Sequence, residues 1–97
     1  MEVQNITVDA ALFTSRRDVH NIMQKALTTC EYYGHTLDAL YDALTSLHSE
    51  THLTLLHFDA AEEQLGGYAR RLAYTFREAE LDNPHLAVLF PAKESEI

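Results

Sequence analysis

The 97-residue chain has no tryptophan, only two prolines and three glycines, and a single cysteine, Cys30. A lone cysteine cannot form an internal disulfide, so the sequence predicts a reduced protein whose fold needs no covalent cross-link. The N-terminus shows no basic segment followed by an apolar one, and no apolar run approaches the roughly 18 residues of a membrane span. These absences predict a cytoplasmic protein that does not contact a membrane.

Basic residues are also scarce, because seven Lys and Arg stand against 15 Asp and Glu, for a formal net charge of -8. An acidic chain repels nucleic acid and anionic membranes alike, so the composition favours a cationic partner. Between Lys25 and Arg70 there is no Lys or Arg at all, and this stretch carries seven of the eight net negative charges. Such segregation speeds the encounter with an oppositely charged partner.

What the chain does have is enough apolar material for one packed core, since 46% of its residues are hydrophobic. We expect a single domain over residues 1–91 and a frayed polar tail over residues 92–97. A domain of this size leaves little room for a large internal cavity, and no cofactor is expected.

The apolar pattern predicts an alternation of strands and helices. Strands are expected at residues 3–8, 53–58 and 86–90, the second of them covered on both faces. Helices are expected at about 15–28, 37–47, 60–65 and 68–82, with N-caps at Ser15, Thr36 and Asp59 and a break at Gly66-Gly67. This order favours an α/β fold: a small three-stranded parallel sheet with right-handed connections, packed with about four helices.

The second predicted helix separates two kinds of side chain. One face is an apolar stripe of Leu37, Leu40, Leu44 and Leu47. The opposite face carries Asp38, Asp42 and Thr45, with Tyr41 at its border. Asp38 and Asp42 are like charges one turn apart, which costs an isolated helix about 0.2–0.5 kcal/mol. Because no basic residue nearby in the sequence offsets this repulsion, the pair of aspartates indicates a binding face. The alternative is that the face is simply solvated and has no partner.

At these residues the sequence becomes similar to a known family. Residues 31–34 (EYYG) and 37–45 (LDALYDALT) resemble the signature of the barstar family. Members of this family are intracellular inhibitors of secreted microbial ribonucleases such as barnase. The family's second and weaker motif resembles residues 76–80 (FREAE). The predicted order of elements also agrees with a barstar-like fold, so the resemblance covers nearly the whole chain apart from the tail.

The resemblance implies that the protein blocks the active site of a barnase-type ribonuclease in a 1:1 complex. In the family, this helix and the loop before it enter the cationic substrate groove, and one aspartate, Asp42 by position, replaces an RNA phosphate. The other implied partner contacts are Tyr32 in the loop, Thr36, Asp38, Tyr41, Thr45 and Ser46 along the helix, and Glu78 on the later helix. The implied role is that of an immunity protein or antitoxin against the cell's own ribonuclease or a competitor's.

The chain departs from the family's best-known member at four matched positions. Thr36 replaces an asparagine, Ser46 a glycine, and Tyr41 and Leu47 replace tryptophans. Thr36 can still cap the helix, and Tyr41 keeps an aromatic ring. These differences suggest a different cognate nuclease or a tuned affinity.

Other functions fit the residues less well. No glycine-rich phosphate loop or paired nucleophile and base is present, and two aspartates on a convex helix face lack the enclosure that catalysis requires, so we expect no enzyme. His48, His52 and His57 match no zinc signature, and no metal site is expected. An acidic module that binds another cationic, nucleic-acid-binding protein remains the alternative. The free protein is expected to be a monomer.

Overall fold

The computed structural model describes residues 3–27 and 34–91. Its elements are β1 (Val3–Asp9), a short 3-10 helix (Ala10–Leu12), α1 (Arg16–Leu27), α2 (Leu37–Thr45), β2 (Glu50–Leu56), α3 (Phe58–Leu65), α4 (Gly67–Asp82) and β3 (Leu86–Leu89). The predicted order of strands and helices is confirmed, and the 3-10 helix is an addition to it. The predicted polar tail lies outside the described residues.

The three strands form one parallel sheet in the order β1-β2-β3. Ile6 pairs with Leu53, and Leu53 pairs with Val88, so these three side chains point to the same face. Parallel neighbours need crossover connections, and here each connection contains two α-helices. The predicted α/β class with a small parallel sheet and four helices is therefore confirmed.

The sheet is buried on one face only, which makes the prediction of a doubly covered central strand wrong. Along β2, Thr51, Leu53 and Leu55 are buried, whereas the residues between them are only half-buried. The strand also begins at Glu50, three residues before the predicted start, because Glu50 pairs with Val3 of β1. The polar residues at the start of β2 pair with β1 through backbone hydrogen bonds. The apolar pattern of the sequence does not reveal that they belong to the strand.

Two of the three predicted N-caps are confirmed. Ser15 Oγ accepts a hydrogen bond from the Asp18 N–H at 3.1 Å, and Thr36 Oγ1 accepts one from the Ala39 N–H at 3.0 Å. Each hydroxyl satisfies a backbone donor that the first helical turn leaves unpaired. The N-terminus of α2 is thereby fixed by the residue that the sequence predicts.

The third predicted cap, Asp59, is wrong. α3 begins at Phe58, and the preceding residue, His57, adopts a left-handed conformation with φ of 58° and makes no capping bond. The His57 Nδ1 instead lies 3.0 Å from Asp9 Oδ1, which joins the ends of β1 and β2. Because this contact spans distant parts of the chain, the local sequence could not indicate it.

Gly66 separates α3 from α4. Its φ of 58° and ψ of -127° belong to a region that only glycine adopts readily. Gly67 is already the first residue of α4. The predicted break at Gly66-Gly67 is therefore confirmed, but it is one residue wide.

The core lies between the sheet and the helices, and it orients α2. Leu40, Leu44 and Leu47 of the apolar stripe are buried, whereas Leu37 is half-buried. This packing turns the opposite face of α2 outward. No helix in the described ranges has the length and apolar character needed to cross a membrane.

Asn83, in the turn between α4 and β3, is a buried polar residue that fixes the C-terminal end of α2. Its Nδ2 donates to the carbonyl oxygens of Leu44 at 2.9 Å and Leu47 at 3.1 Å. Its Oδ1 accepts from the His85 N–H at 2.9 Å. One side chain therefore supplies donors to two carbonyls, one in the last turn of α2 and one just beyond its end.

Candidate partner-binding site

The outward face of α2 carries the predicted acidic residues. Asp38 and Asp42 are exposed one turn apart, Ser46 is exposed just after the helix, and Thr45 is half-buried. The helix beneath them is capped by Thr36 and packed into the core. Two carboxylates are thus presented on a rigid support, which is the arrangement that the sequence predicts.

The hydroxyl groups at the end of α2 are oriented by the backbone. Thr45 Oγ1 donates to the Tyr41 carbonyl at 2.9 Å, and Ser46 Oγ donates to the Asp42 carbonyl at 2.7 Å. With their hydrogens engaged, both oxygens keep lone pairs that can accept a hydrogen bond. A cationic donor from a partner suits this surface better than an acceptor does.

α2 and α4 enclose a groove of about 500 Å³ beside the acidic face. The groove is lined by Leu37, Asp38 and Tyr41 of α2 and by Arg70, Arg71, Tyr74, Thr75 and Glu78 of α4. Three predicted site residues, Asp38, Tyr41 and Glu78, are therefore brought together from helices far apart in sequence. Asp42 lies one turn further along α2, outside this groove.

Tyr41 is held between the two helices by a hydrogen bond that its hydroxyl donates to the Asp82 carboxylate. This bond raises the pKa of Tyr41, with smaller contributions from burial and from the negative charges of Asp82, Glu78 and Asp42. In the same groove, a hydrogen bond with Glu78 raises the pKa of Tyr74. Both phenols consequently stay neutral at physiological pH.

The sequence reasoning missed the arginines beside the acidic face. No basic residue lies near Asp38 in the sequence, yet folding places Arg70 and Arg71 in the same groove. A signal was present, because Arg71, Thr75 and Glu78 are spaced by four and three residues and so share one face of α4. The acidic face is therefore bordered by positive charge at one end.

Tyr32, the predicted contact from the loop, lies outside the described residues. Within residues 3–27 and 34–91, no group of three or more His, Cys, Asp or Glu is arranged to hold a metal ion. His52 lies 3.5 Å from a carboxylate oxygen of Glu50, and His57 lies beside Asp9. These two histidines therefore contact different carboxylates and do not converge on one point where a metal ion could bind.

Comparison with known proteins identifies the family. The family model described as "Barstar (barnase inhibitor)" matches residues 3–90. The chain belongs to the barstar family. A barstar-like fold, expected from the resemblance in residues 31–45, is thereby confirmed for this three-stranded parallel sheet and its four helices.

A curated relative agrees with this assignment. The protein named "Putative ribonuclease inhibitor YrdF" of Bacillus subtilis (strain 168) is 30% identical to this barstar-family chain over 79 residues. The aligned part covers 80% of this chain and 87% of the relative. Membership of the barstar family supports the role of a ribonuclease inhibitor and not of an enzyme.

Proposed function

We propose that this protein inhibits a secreted barnase-type microbial ribonuclease by placing the acidic face of α2 in the enzyme's cationic substrate groove. In this 1:1 complex, Asp42 takes the position of an RNA phosphate and Asp38 makes a second acidic contact. The observation that carries the proposal is that both carboxylates are exposed on a fixed helix and, within the described residues, neither forms an ion pair. Such carboxylates are available for charge-assisted hydrogen bonds from arginine or lysine.

The other proposed contacts surround this pair. Thr45 and Ser46 extend the surface beyond Asp42 with hydroxyl oxygens that accept hydrogen bonds. Tyr41 and Glu78 form the side towards α4, where the aromatic ring supplies contact area and the carboxylate a further negative charge. Tyr32 and Thr36 extend the contact to the loop that precedes the helix.

The proposed setting is the cytoplasm of the producing cell. A chain with a single cysteine is suited to a reducing compartment. The protein there neutralises the cell's own ribonuclease before secretion, or a competitor's ribonuclease after entry, as an immunity protein or antitoxin does.

A second candidate function keeps the surface and changes the partner. The net charge of -8 and the exposed carboxylates of α2 select a cationic surface, which other nucleic-acid-binding proteins also offer. On this alternative the protein is a general acidic interaction module. Inhibition of a ribonuclease that is competitive with RNA would distinguish a ribonuclease inhibitor from a general acidic module.

The test is a titration of the protein, Asp42→Ala and Glu63→Ala into a fluorogenic RNA-cleavage assay with a panel of barnase-type ribonucleases. Glu63 is exposed on α3, and both variants lose one negative charge, so long-range attraction changes similarly. We expect stoichiometric inhibition by the parent and by Glu63→Ala. For Asp42→Ala we expect a dissociation constant raised by about 30-fold or more, equivalent to about 2 kcal/mol, as at an interface hot spot.

Two outcomes contradict the proposal. No inhibition across the panel would reject a ribonuclease partner and leave the general acidic module. Equal dissociation constants for Asp42→Ala and Glu63→Ala would remove Asp42 from the interface, even if the parent inhibits.

A further inference from the structure

A second, smaller pocket of about 320 Å³ lies where α1 and α4 meet the N-terminus of α2. Its polar lining comes from Arg16 of α1, His35, Thr36 and Asp38 before and at the start of α2, and Tyr68 and Arg71 of α4. Asp38 and Arg71 also line the larger groove, so the pocket is continuous with the proposed interface. The cationic groups in this pocket have no part in the proposed acidic contacts.

Two arginines share one aromatic ring in this pocket. The Cζ of Arg16 lies 4.7 Å, and that of Arg71 5.7 Å, from the centroid of the Tyr68 ring. The ring itself is fixed, because the Tyr68 hydroxyl lies 2.7 Å from Nε2 of the buried His20. Stacking on a fixed ring orients both guanidinium groups.

Among the residues that the structure describes, neither arginine has a carboxylate partner. In residues 3–27 and 34–91, the ion pairs involve other residues, although the chain has about twice as many acids as bases. Asp38 lines the same pocket but lies beyond ion-pair distance of both arginines. Two neighbouring like charges repel each other unless an anion lies between them.

The position of Arg16 is unfavourable in a second way. It is the first residue of α1, where the positive end of the helix dipole disfavours a cation. The positive end of α2 faces the same pocket, since Thr36 is its N-cap. An anion bound in the pocket would offset the repulsion between the two arginines and the unfavourable position of Arg16, against repulsion from the Asp38 carboxylate.

We infer that this pocket binds a carboxylate side chain of the target ribonuclease, held by the guanidinium groups of Arg16 and Arg71. The inference rests on the proposed function. Continuity with the groove that contains Asp38 places the pocket at the border of the interface, and paired guanidinium forks match the planar geometry of a carboxylate. The surface then presents acidic residues to a cationic groove and a basic clamp to an acidic residue at the rim of that groove.

This inference and ordinary long-range electrostatics predict effects of opposite sign. Removing a positive charge makes the inhibitor more acidic, so an arginine without a specific contact should, when neutralised, leave binding to a cationic nuclease equal or tighter. Neutralising an arginine that holds a carboxylate should instead speed dissociation, because the nuclease carboxylate loses its partner.

The test compares Arg16→Gln, Arg71→Gln and Arg17→Gln in complex with a ribonuclease that the parent inhibits. Arg17 is exposed next to Arg16 but does not line the pocket, so it is a matched control for the loss of one charge. We expect Arg17→Gln to bind as tightly as the parent or more tightly. Arg16→Gln and Arg71→Gln should each dissociate about tenfold faster or more, with Arg16→Lys between them and the parent. Thermal melting of each variant checks that it is folded.

Several results would overturn the inference. Dissociation rates for Arg16→Gln and Arg71→Gln equal to that of Arg17→Gln would reject it while leaving the proposed function intact. A melting temperature raised by inorganic phosphate in the parent but not in Arg71→Gln, with no change in nuclease binding, would assign the pocket to a free oxyanion. If the parent inhibits no ribonuclease, the proposed function fails and this inference fails with it.

Discussion

At the scale of single residues, the exposed carboxylates of α2 reduce the stability of the helix, and we propose that they serve binding. Asp38 and Asp42 repel each other one turn apart, and within the described chain no ion pair compensates either of them. Asp42→Ala should therefore raise the free energy of unfolding slightly, by up to about 0.5 kcal/mol, while it weakens nuclease binding. Chemical denaturation measures this change, and a loss above about 1 kcal/mol would show that Asp42 stabilises the fold.

His20 is a second residue with a specific consequence, here for the dependence of stability on pH. Burial lowers the pKa of His20 below its ordinary value of 6.5, and the neighbouring His35 lowers it further. The unfolded chain therefore binds this proton more readily than the folded chain does. The contribution of His20 to stability is present above pH 6.5 and is lost as the pH falls through the lowered pKa.

We expect the free energy of unfolding of the parent to fall between about pH 7 and pH 5, and to fall less in His20→Gln. Urea denaturation at several pH values measures the difference. His48→Gln, which removes an exposed histidine, should keep the dependence of the parent. Parallel curves for the parent and His20→Gln would show that another group causes the loss.

The sequence predicts some residue roles and not others, for a physical reason. Thr36 as a cap and the outward direction of Asp38 follow from helical spacing within one element. The contacts of His20 and Arg16 with Tyr68 join residues that lie about 50 positions apart in the chain. Contacts between elements are not encoded in the periodicity of either one.

At the scale of elements, the junction of α3 and α4 depends on one backbone conformation. Gly66 has a φ of 58° and Gly67 does not have a positive φ, while an added Cβ would meet nothing within 4 Å at either position. Gly66→Ala should therefore lower the free energy of unfolding by about 1–3 kcal/mol through backbone strain alone. Gly67→Ala should leave it equal or raise it by up to about 1 kcal/mol. Thermal denaturation of the pair measures both, and equal effects would contradict this account.

The attachment of α2 to the turn before β3 gives a second prediction for an element. Asn83→Ala would remove the side-chain donor from the buried Leu47 carbonyl and leave the Leu44 carbonyl with only the 3.4 Å bond from the Leu47 N–H, which should cost about 1–3 kcal/mol of stability. Asn21→Ala, at an exposed position of α1, should not lower stability. Denaturant titration distinguishes the two, and similar losses would mean that Asn83 does not hold α2.

Element boundaries were predictable where local chemistry sets them. The cap at Thr36 and the break at Gly66 belong to this class. The early start of β2 at Glu50 and the start of α3 after His57 were not predictable, because the pairing of Glu50 with Val3 and the contact of His57 with Asp9 join separate parts of the chain.

At the scale of the whole molecule, we propose that the charge distribution governs the rate of association with a partner. Exposed charges are screened beyond roughly 10 Å at 0.1 M salt, so association with a cationic ribonuclease should slow steeply as salt rises. Stopped-flow measurements across a salt series test this, with Glu63→Ala expected to reduce the slope. An association rate independent of salt would contradict the proposed electrostatic attraction.

The fold class was predictable because apolar residues recur with different spacing in strands and in helices, and the two kinds of segment alternate along the chain. The one-sided sheet was not predictable, because an apolar run such as Leu53 to Leu56 does not show whether both faces are covered. In the structure, Val3 and Leu89 remain about half exposed on the open side. The expected monomer remains a prediction that sedimentation can test.

The fixation of α2 at both ends determines when its conformational entropy is lost. A nine-residue helix is too short to persist alone in water, but Thr36 holds one end and Asn83 the other. The backbone of α2 is therefore ordered before any partner arrives, and in the proposed complex association docks a pre-organised helix. A free peptide with the sequence of this helix would contain the same acidic side chains and still bind far more weakly, because it would have to fold as it binds.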